Sequence, residues 1–439
     1  MIMKPFTNEI LPQGYKMTEL GPLPEEWEVI KPKEYFKEIK IKVGLENRDK
    51  YRPVAVGELG LRFREEIYKN KVKLTENTDK YLIFPYCSIC FGLGAKTLAV
   101  DVNCEKNSKY SVSAAYKIFA FDEKIFNPIF LRSYIKHVQH LWGSRLLVQS
   151  VRQGKKIDKI IFNELPLPLP PLPEQQKIAA VLSAVQEAKE KTRAVIDATK
   201  ALKKSMMKHL FTYGPVPPEE TENVPLKETE IGKVPEDWEV VKLGEVVREK
   251  ITDGTHKTPQ YIENGIPFIT ITNLVNGKID FSKCRFISEE EHNFLINRCK
   301  PEKDDVLLSK VGTLGLTAKI CEKDNFSIFV QLALIKPKKE IINSDFLTYM
   351  LNSISIQNQI EIKSSQSTMK YIGVEKISQL QIPLPPLPVQ QKIASILSAI
   401  DAKIEAEENK KKSLEKLFKT LLHNLMTAKI RVNHLEIKV

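Results

Sequence analysis

Cysteine is scarce in this chain. Six among 439 residues cannot staple domains of ordinary size, which excludes a disulfide framework. Cys87 and Cys90 form one CxxC, with Cys104 beyond, but no second pair follows. Reduced, half-buried thiols in a strand are therefore a plainer expectation than a zinc site. His137 and His140 stand three apart on an expected helix, without acidic or thiol neighbours that would complete a metal site. Long apolar runs are missing too. Tyr81 to Ala95 is the most apolar stretch, and it is too short and interrupted to span a bilayer. The opening residues MIMKPFTNEILPQGY lack the apolar core of an export signal. The expectation is a cytoplasmic protein with no membrane segment.

Catalytic signatures are also missing. No GxxxxGK[ST] run occurs, which excludes a P-loop ATPase core. Phe91-Gly92-Leu93-Gly94-Ala95 has the outline of a glycine loop for S-adenosylmethionine, and Asn127-Pro128-Ile129-Phe130 that of a methyltransferase tetrapeptide without its second proline. A related stretch, Gly312-Thr313-Leu314-Gly315-Leu316, stands in a strand-and-turn context with no cofactor signature. No Ser–His–Asp or Cys–His set can be assembled. The chain is expected to be non-catalytic and to bind no cofactor of its own.

What the chain does contain is repetition. Residues 168–185 read PLPPLPEQQKIAAVLSAV and residues 383–400 read PLPPLPVQQKIASILSAI, with 14 of 18 positions identical at an offset of 215. Upstream, TELGPLPEEWEVIK (18–31) returns as TEIGKVPEDWEVVK (229–242), with 9 of 14 identical at an offset of 211. A period this long marks a duplicated domain rather than a solenoid. Two copies in one chain can adopt the pseudo-two-fold arrangement of a dimer.

Each proline-rich hinge opens a long helix, since proline is tolerated in a first helical turn. In the second copy Ile393, Leu397, Ile400, Ile404, Glu407, Lys411, Leu414, Phe418, Leu421 and Leu425 step 4-3-4-3, eight of the ten being apolar. In the first copy the matching series runs from Ile178 through Lys189, Thr192, Thr199 and Lys203 to Leu210 and holds only six. There the stripe Val181, Val185, Ala188, Val195, Leu202, Met206 is expected to compensate. Sustained heptads predict helices packed along their length, each roughly 40 residues and about 60 Å long. A pseudo-two-fold axis makes the pair antiparallel.

The resulting fold class is α+β. Two mixed α/β domains are separated by two long helices that pair as an antiparallel coiled coil, with an internal pseudo-two-fold repeat. The expected segments are 1–165 (first domain), 166–214 (hinge and first helix), 215–380 (linker and second domain) and 381–439 (second helix and tail). Net charge is +12, and residues 31–73 carry 13 Lys or Arg against 7 Asp or Glu. Such an excess favours a polyanionic partner.

The doubled PLPPLPxQQKIA before a long helix, each copy introduced by TE[LI]Gx[LV]PE[ED]WEV, resembles the specificity subunit of type I restriction-modification systems. The resemblance covers nearly the whole chain. Asp253-Gly254-Thr255-His256-Lys257-Thr258-Pro259, Asp305-Val306-Leu307-Leu308-Ser309-Lys310 and Val330-Gln331-Leu332-Ala333 extend it into the second domain. The first domain departs from it, with Lys40-Ile41-Lys42-Val43-Gly44-Leu45 instead of the Asp-Gly-Thr-His element. The resemblance implies a subunit without catalytic activity whose two domains each read one half of a bipartite, asymmetric site on double-stranded DNA. It also implies a helix pair that spaces the halves, two methyltransferase subunits, and restriction subunits. S-adenosylmethionine, ATP and Mg²⁺ are then used by those partners. A stand-alone regulatory DNA-binding protein and a coiled-coil adaptor are the alternatives.

DNA contacts are expected on Thr255, His256 and Lys257, on Lys310 and Thr313, and on Ser367, Thr368, Lys370 and Tyr371. In the first copy they are expected on Arg152, Gln153, Lys155 and Lys156, in a loop that aligns with Ser367–Tyr371 at offset 215. Methyltransferase docking is expected at Glu174, Gln175, Gln176 and Lys177 and at Gln390, Gln391 and Lys392, because these repeat while the domains diverge. The plainer role for them is to cap and start the helix.

Overall fold

The computed structural model describes residues 11–67, 78–92, 98–149, 155–275, 277–321, 325–365 and 369–436. They fall into two compact units, one within 1–192 and 410–439, the other within 193–409. Each unit therefore holds one mixed domain, the start of the helix that follows it, and the end of the other long helix. The boundary between them falls within the two long helices and leaves each mixed domain whole.

The domains share one strand order. In the first, Lys37–Ile39, Lys117–Ala120, Ser88–Phe91 and Val100–Asn103 lie side by side, all antiparallel. In the second, Thr252–Asp253, Leu332–Ile335, Val306–Ser309 and Thr317–Lys319 repeat that order and sense. A further sheet in each contains one parallel pair, Arg52–Gly57 with Tyr110–Val112 and Ile266–Ile269 with Ser327–Ile328. The central strands are buried on both faces, as Ser88–Phe91 and Val306–Ser309 illustrate. A helix covers each domain, Pro128–Leu146 capped by Asn127 and Ser344–Leu351 capped by Asn343. The cap side chains accept backbone N–H groups that the first helical turn leaves unpaired.

The two repeated motifs are neighbours in space. The lead-in strand Glu28–Ile30 pairs antiparallel with the hinge strand Leu167–Leu169, and Glu239–Lys242 pairs likewise with Gln381–Leu384. Pro168 and Pro383 are tolerated there because each ladder has two strands, which leaves an edge that needs no donor. The chain then enters the long helices Leu172–Tyr213 and Leu387–Met426.

Within each unit the long helices run antiparallel. In the second unit Lys200 pairs with Glu408 at 2.7 Å and Lys203 with Asp401 at 2.6 Å, so numbers rise on one helix as they fall on the other. In the first, Lys189 lies over the Phe418 ring, and Glu174 meets Arg431 just past the second helix. All ten 4-3 positions of each helix are buried or half-buried, including Lys189, Thr192, Thr199 and Lys203. The compensating stripe does not pack as expected, for Val195 is 40% and Leu202 51% exposed. Lys203 stays inside through its ion pair with Asp401, Lys189 through its contact with the Phe418 ring, and Thr199 by donating to Val195 O at 2.7 Å.

One glutamine fixes each domain to its helix. The Gln175 side chain accepts from Asn127 N (2.9 Å) and donates to the carbonyls of Ile125 and Pro170 (both 2.9 Å). Gln390 accepts from Asn343 N (2.8 Å) and donates to Ile341 (3.0 Å) and Pro385 (2.8 Å). Both are fully buried. Replacing either by alanine leaves one backbone donor and two carbonyls without these partners. Each such group costs about 1–3 kcal/mol, so Gln175→Ala and Gln390→Ala should each lower stability by at least that much. Hydrogen exchange should localise the loss to the altered residue's own unit; equal loss of protection in both units contradicts the assignment.

Candidate nucleic-acid interface

The second domain's site starts from a close backbone approach. After the edge strand Thr252–Asp253, Gly254 runs so near the Ile328–Phe329 backbone that a Cβ on it would lie 2.0 Å from the Ile328 carbonyl oxygen. Only glycine fits. Thr255 N then donates to Ile328 O (3.2 Å), and Val330 N donates to Thr255 O (3.0 Å). Asp253, Leu308 and Ala333 lie on three adjacent strands in register. The three motifs that stood apart in the sequence are thereby side by side.

Asp253 is the electrostatic centre. Its carboxylate accepts from Lys310 Nζ (2.9 Å) and Arg298 (2.6 Å), with His256 Nε2 at 3.3 Å. Lys310 Nζ also lies 5.0 Å from the Tyr371 ring centroid. Gly312 N donates to Lys370 O (2.9 Å), and Ile372 N to Lys310 O (3.0 Å). So the structure gathers the three expected loops, 255–257, 310–313 and 369–371. His256, Lys257, Thr313, Lys370 and Tyr371 are exposed on them and Thr255 is half-buried. Lys370 is held by Glu361 at 2.6 Å. Ser367 and Thr368 lie outside the described residues.

Lys310 differs from expectation. It is 3% exposed, and its ammonium is committed to Asp253. A lysine buried to that degree needs a carboxylate, and serving Asp253 takes it away from solvent. That burial and pairing suit a side chain that holds the loops in place. Arg298, the other anchor of Asp253, carried no signal in the sequence, since nothing in its spacing ties it to residue 253. Asp305, first residue of the same motif, is fully buried beside Arg248 (3.0 Å) and Lys336 (3.8 Å). Burial pushes its carboxyl up to about 6 against the pull of those cations.

In the first domain Arg152 and Gln153 lie outside the described residues. Lys155 and Lys156 begin the strand Lys155–Ile157, paired with Leu147–Gln149, and their side chains are likewise outside what is described. At the hinges, Gln175 and Gln390 are spent on the internal bonds given above. Glu174 is buried too, accepting from Trp27 Nε1 (2.9 Å) and holding Arg431 (2.6 and 2.9 Å). Burial and internal bonding leave these three almost no surface, unlike the expected docking positions beside them. Gln176 and Lys177 are half-buried, Lys177 donating to Asn433 O (2.7 Å), while Gln391 and Lys392 are exposed.

Among the described residues no three His, Cys, Asp or Glu side chains are grouped to hold a metal. Cys87 and Cys90 are free thiols, and burial pushes the Cys90 thiol well above its ordinary value. No described helix is long and apolar enough to cross a membrane.

Exposed cations suit phosphates, and Thr, His and Tyr side chains suit base edges. Two domains of one design, each fixed to a long helix, define a protein of paired recognition modules. The family model "Type I restriction modification DNA specificity domain" matches twice, at residues 24–198 and 235–416. This chain belongs to that family, the specificity subunits of type I restriction-modification enzymes, and recognises DNA sequence. It is 31% identical to the type I restriction enzyme MjaVIII specificity subunit of Methanocaldococcus jannaschii, over 94% of this chain and 95% of that one. It is 29% identical to the putative MjaX specificity subunit of the same organism, over 96% and 97%. The fold resembles a solved S subunit of a type I restriction-modification system from M. genitalium, with TM-score 0.56, 17% identity, and coverage of 91% and 96%.

If Lys310 positions rather than contacts, Lys310→Ala should destabilise the second unit by roughly 3 kcal/mol, the lower end for breaking a buried pair, since Arg298 remains. In denaturant unfolding, Asp253→Ala with Lys310→Ala should cost less than the two singly. Full stability with weakened DNA affinity would make Lys310 a direct contact.

Proposed function

We propose that each of the two domains reads one half of a bipartite, asymmetric site on double-stranded DNA, and that the long helices, to which both units contribute, set the gap between the halves. The observation that carries this reading is the convergence of three loops in the second domain around Asp253, which leaves His256, Lys257, Thr313 and Tyr371 exposed together. The first domain has the same strand order with different side chains at the corresponding loops. That difference supports unlike half-sites.

The chain works as a non-catalytic subunit. Two methyltransferase subunits dock at the repeated hinge surfaces, through Gln176 and Lys177 on one copy and Gln391 and Lys392 on the other. Restriction subunits join the assembly. S-adenosylmethionine, ATP and Mg²⁺ serve those partners, and the complex acts in the cytoplasm. Cations on the exposed loops fix the register on phosphates, while the polar side chains read base edges.

Partner dependence separates this reading from a stand-alone regulator. Duplex DNA carrying the target should be bound tightly by the chain with its methyltransferase subunit and weakly by the chain alone; tight specific binding by the chain alone supports the regulator. In the complex, Lys257→Ala should weaken binding to all sequences and reduce the salt slope by about 1. His256→Ala should relax one position of one half-site, at a cost of roughly 1–3 kcal/mol. Neither change should alter unfolding stability, because both side chains are exposed. Wild-type affinity and an unchanged motif in both variants would remove this loop from the interface.

A further inference from the structure

The first domain lacks the Asp-Gly-Thr-His element, yet the sheet registers identify what stands in its place. In the second domain Asp253 pairs with Ala333, which pairs with Leu308. In the first, Ile39 pairs with Ile118, which pairs with Cys90. Matching the four-residue ladders 88–91 with 117–120 and 306–309 with 332–335, pair for pair, sets Ile39 at the place of Asp253. Gly92 then stands at the place of Lys310, and the stretch after residue 39 at the place of Gly254–Lys257.

That stretch is built to present side chains. Its backbone is tied down: Ile83 N donates to Ile41 O (2.8 Å), Val43 N to Tyr81 O (2.9 Å) and Gly44 N to Asp79 O (3.0 Å). Val43 points into the core, and Gly44 turns the chain at φ +73. Lys40 and Lys42 are exposed, Lys40 reaching Glu38 only at 3.7 Å. Ile41 is 53% and Leu45 76% exposed. Leu45 is mostly left in water, and Ile41, between two lysines, is half exposed.

We infer that Lys40, Ile41, Lys42 and Leu45 form the first domain's DNA-reading loop, with the lysines on phosphates and the aliphatic side chains against base edges in the groove. This rests on the reading of the second domain's loops given above. An apolar side chain discriminates bases chiefly through the thymine methyl group, so the half-site read here should contain a thymine that an alanine variant ceases to distinguish. The backbone bonds hold the loop before DNA arrives, which limits the ordering cost of binding. Where the second domain fixes its loop with the buried Asp253–Lys310 pair, the first uses main-chain bonds to residues 79–83.

The test uses the full chain with its methyltransferase subunit. Methylation-site mapping in cells gives the motif, and salt titration on a duplex carrying it gives the phosphate contacts. Lys40→Ala with Lys42→Ala should reduce the salt slope by about 2, one per lysine. Ile41→Ala with Leu45→Ala should relax one half-site, the opposite half from the one His256→Ala relaxes. Melting temperature should hold in both variants. A folded variant with unchanged slope and motif overturns the inference. If His256→Ala still relaxes its half while the loop variants do nothing, the fault lies in this assignment alone. If His256→Ala is silent as well, the reading of the second domain's loops fails with it.

Discussion

A glutamine buried in the first turn of each long helix joins a reading domain to the helix that carries it. Gln175 and Gln390 each take one backbone N–H from the cap residue of the domain's covering helix and give two N–H bonds to carbonyls on either side. A side-chain amide has donors and acceptor in fixed geometry, and no other residue of that length supplies both. The repeated lead-in and hinge strands pair beside this bond. The buried side chains of those segments are alike between copies because each carries out the same attachment, while the domain surfaces diverge.

The attachment is not symmetric in detail. In the first copy Trp27 donates to Glu174, and Glu174 also holds Arg431 of the C-terminal tail, where Tyr15 donates to Ala428 O (2.6 Å). In the second copy valine stands at 389, and the buried Trp238 packs against Gly214 of the linker instead. Inside the domains the same scaffold positions carry different chemistry. Register places Asp101 of the first domain where Thr317 stands in the second. Asp101 holds Arg132 in a bidentate pair (2.7 and 2.9 Å), and Thr317 meets the amide of Asn352. One architecture thus tolerates a buried carboxylate paired with a half-exposed arginine, or neutral hydrogen bonds, at one place, provided the buried polar group finds a partner.

The long helices and hinges were legible in the sequence, because heptads and repeated prolines are local signals. The covering helix from Pro128 was legible too, since Asn127-Pro128 is a start signal and the apolar spacing follows it. The second domain's covering helix Ser344–Leu351 is followed at once by another, Ile354–Lys363. Val195 and Leu202 stay exposed while Lys203, paired with Asp401, takes a half-buried place, and local spacing does not carry that pairing. Lys310 read as a surface cation for the same reason: its partner Asp253 is 57 residues away in sequence. Sequence comparison already set Lys40–Leu45 against the Asp-Gly-Thr-His element, and strand register fixes the match to the residue, Ile39 against Asp253.

The proposed function requires two unlike readers at a distance fixed by the long helices. It is tested most directly by methylation-site mapping of a variant with one heptad inserted in each helix, between 192 and 193 and between 409 and 410, beside the unaltered chain. Seven residues lengthen a helix by about 10 Å, close to three base pairs at ~3.4 Å each. The unaltered chain should give two different half-sites with a constant gap, and the variant the same half-sites with a gap about three base pairs wider. A continuous or palindromic motif, or an unaltered gap in a folded and active variant, would contradict the account.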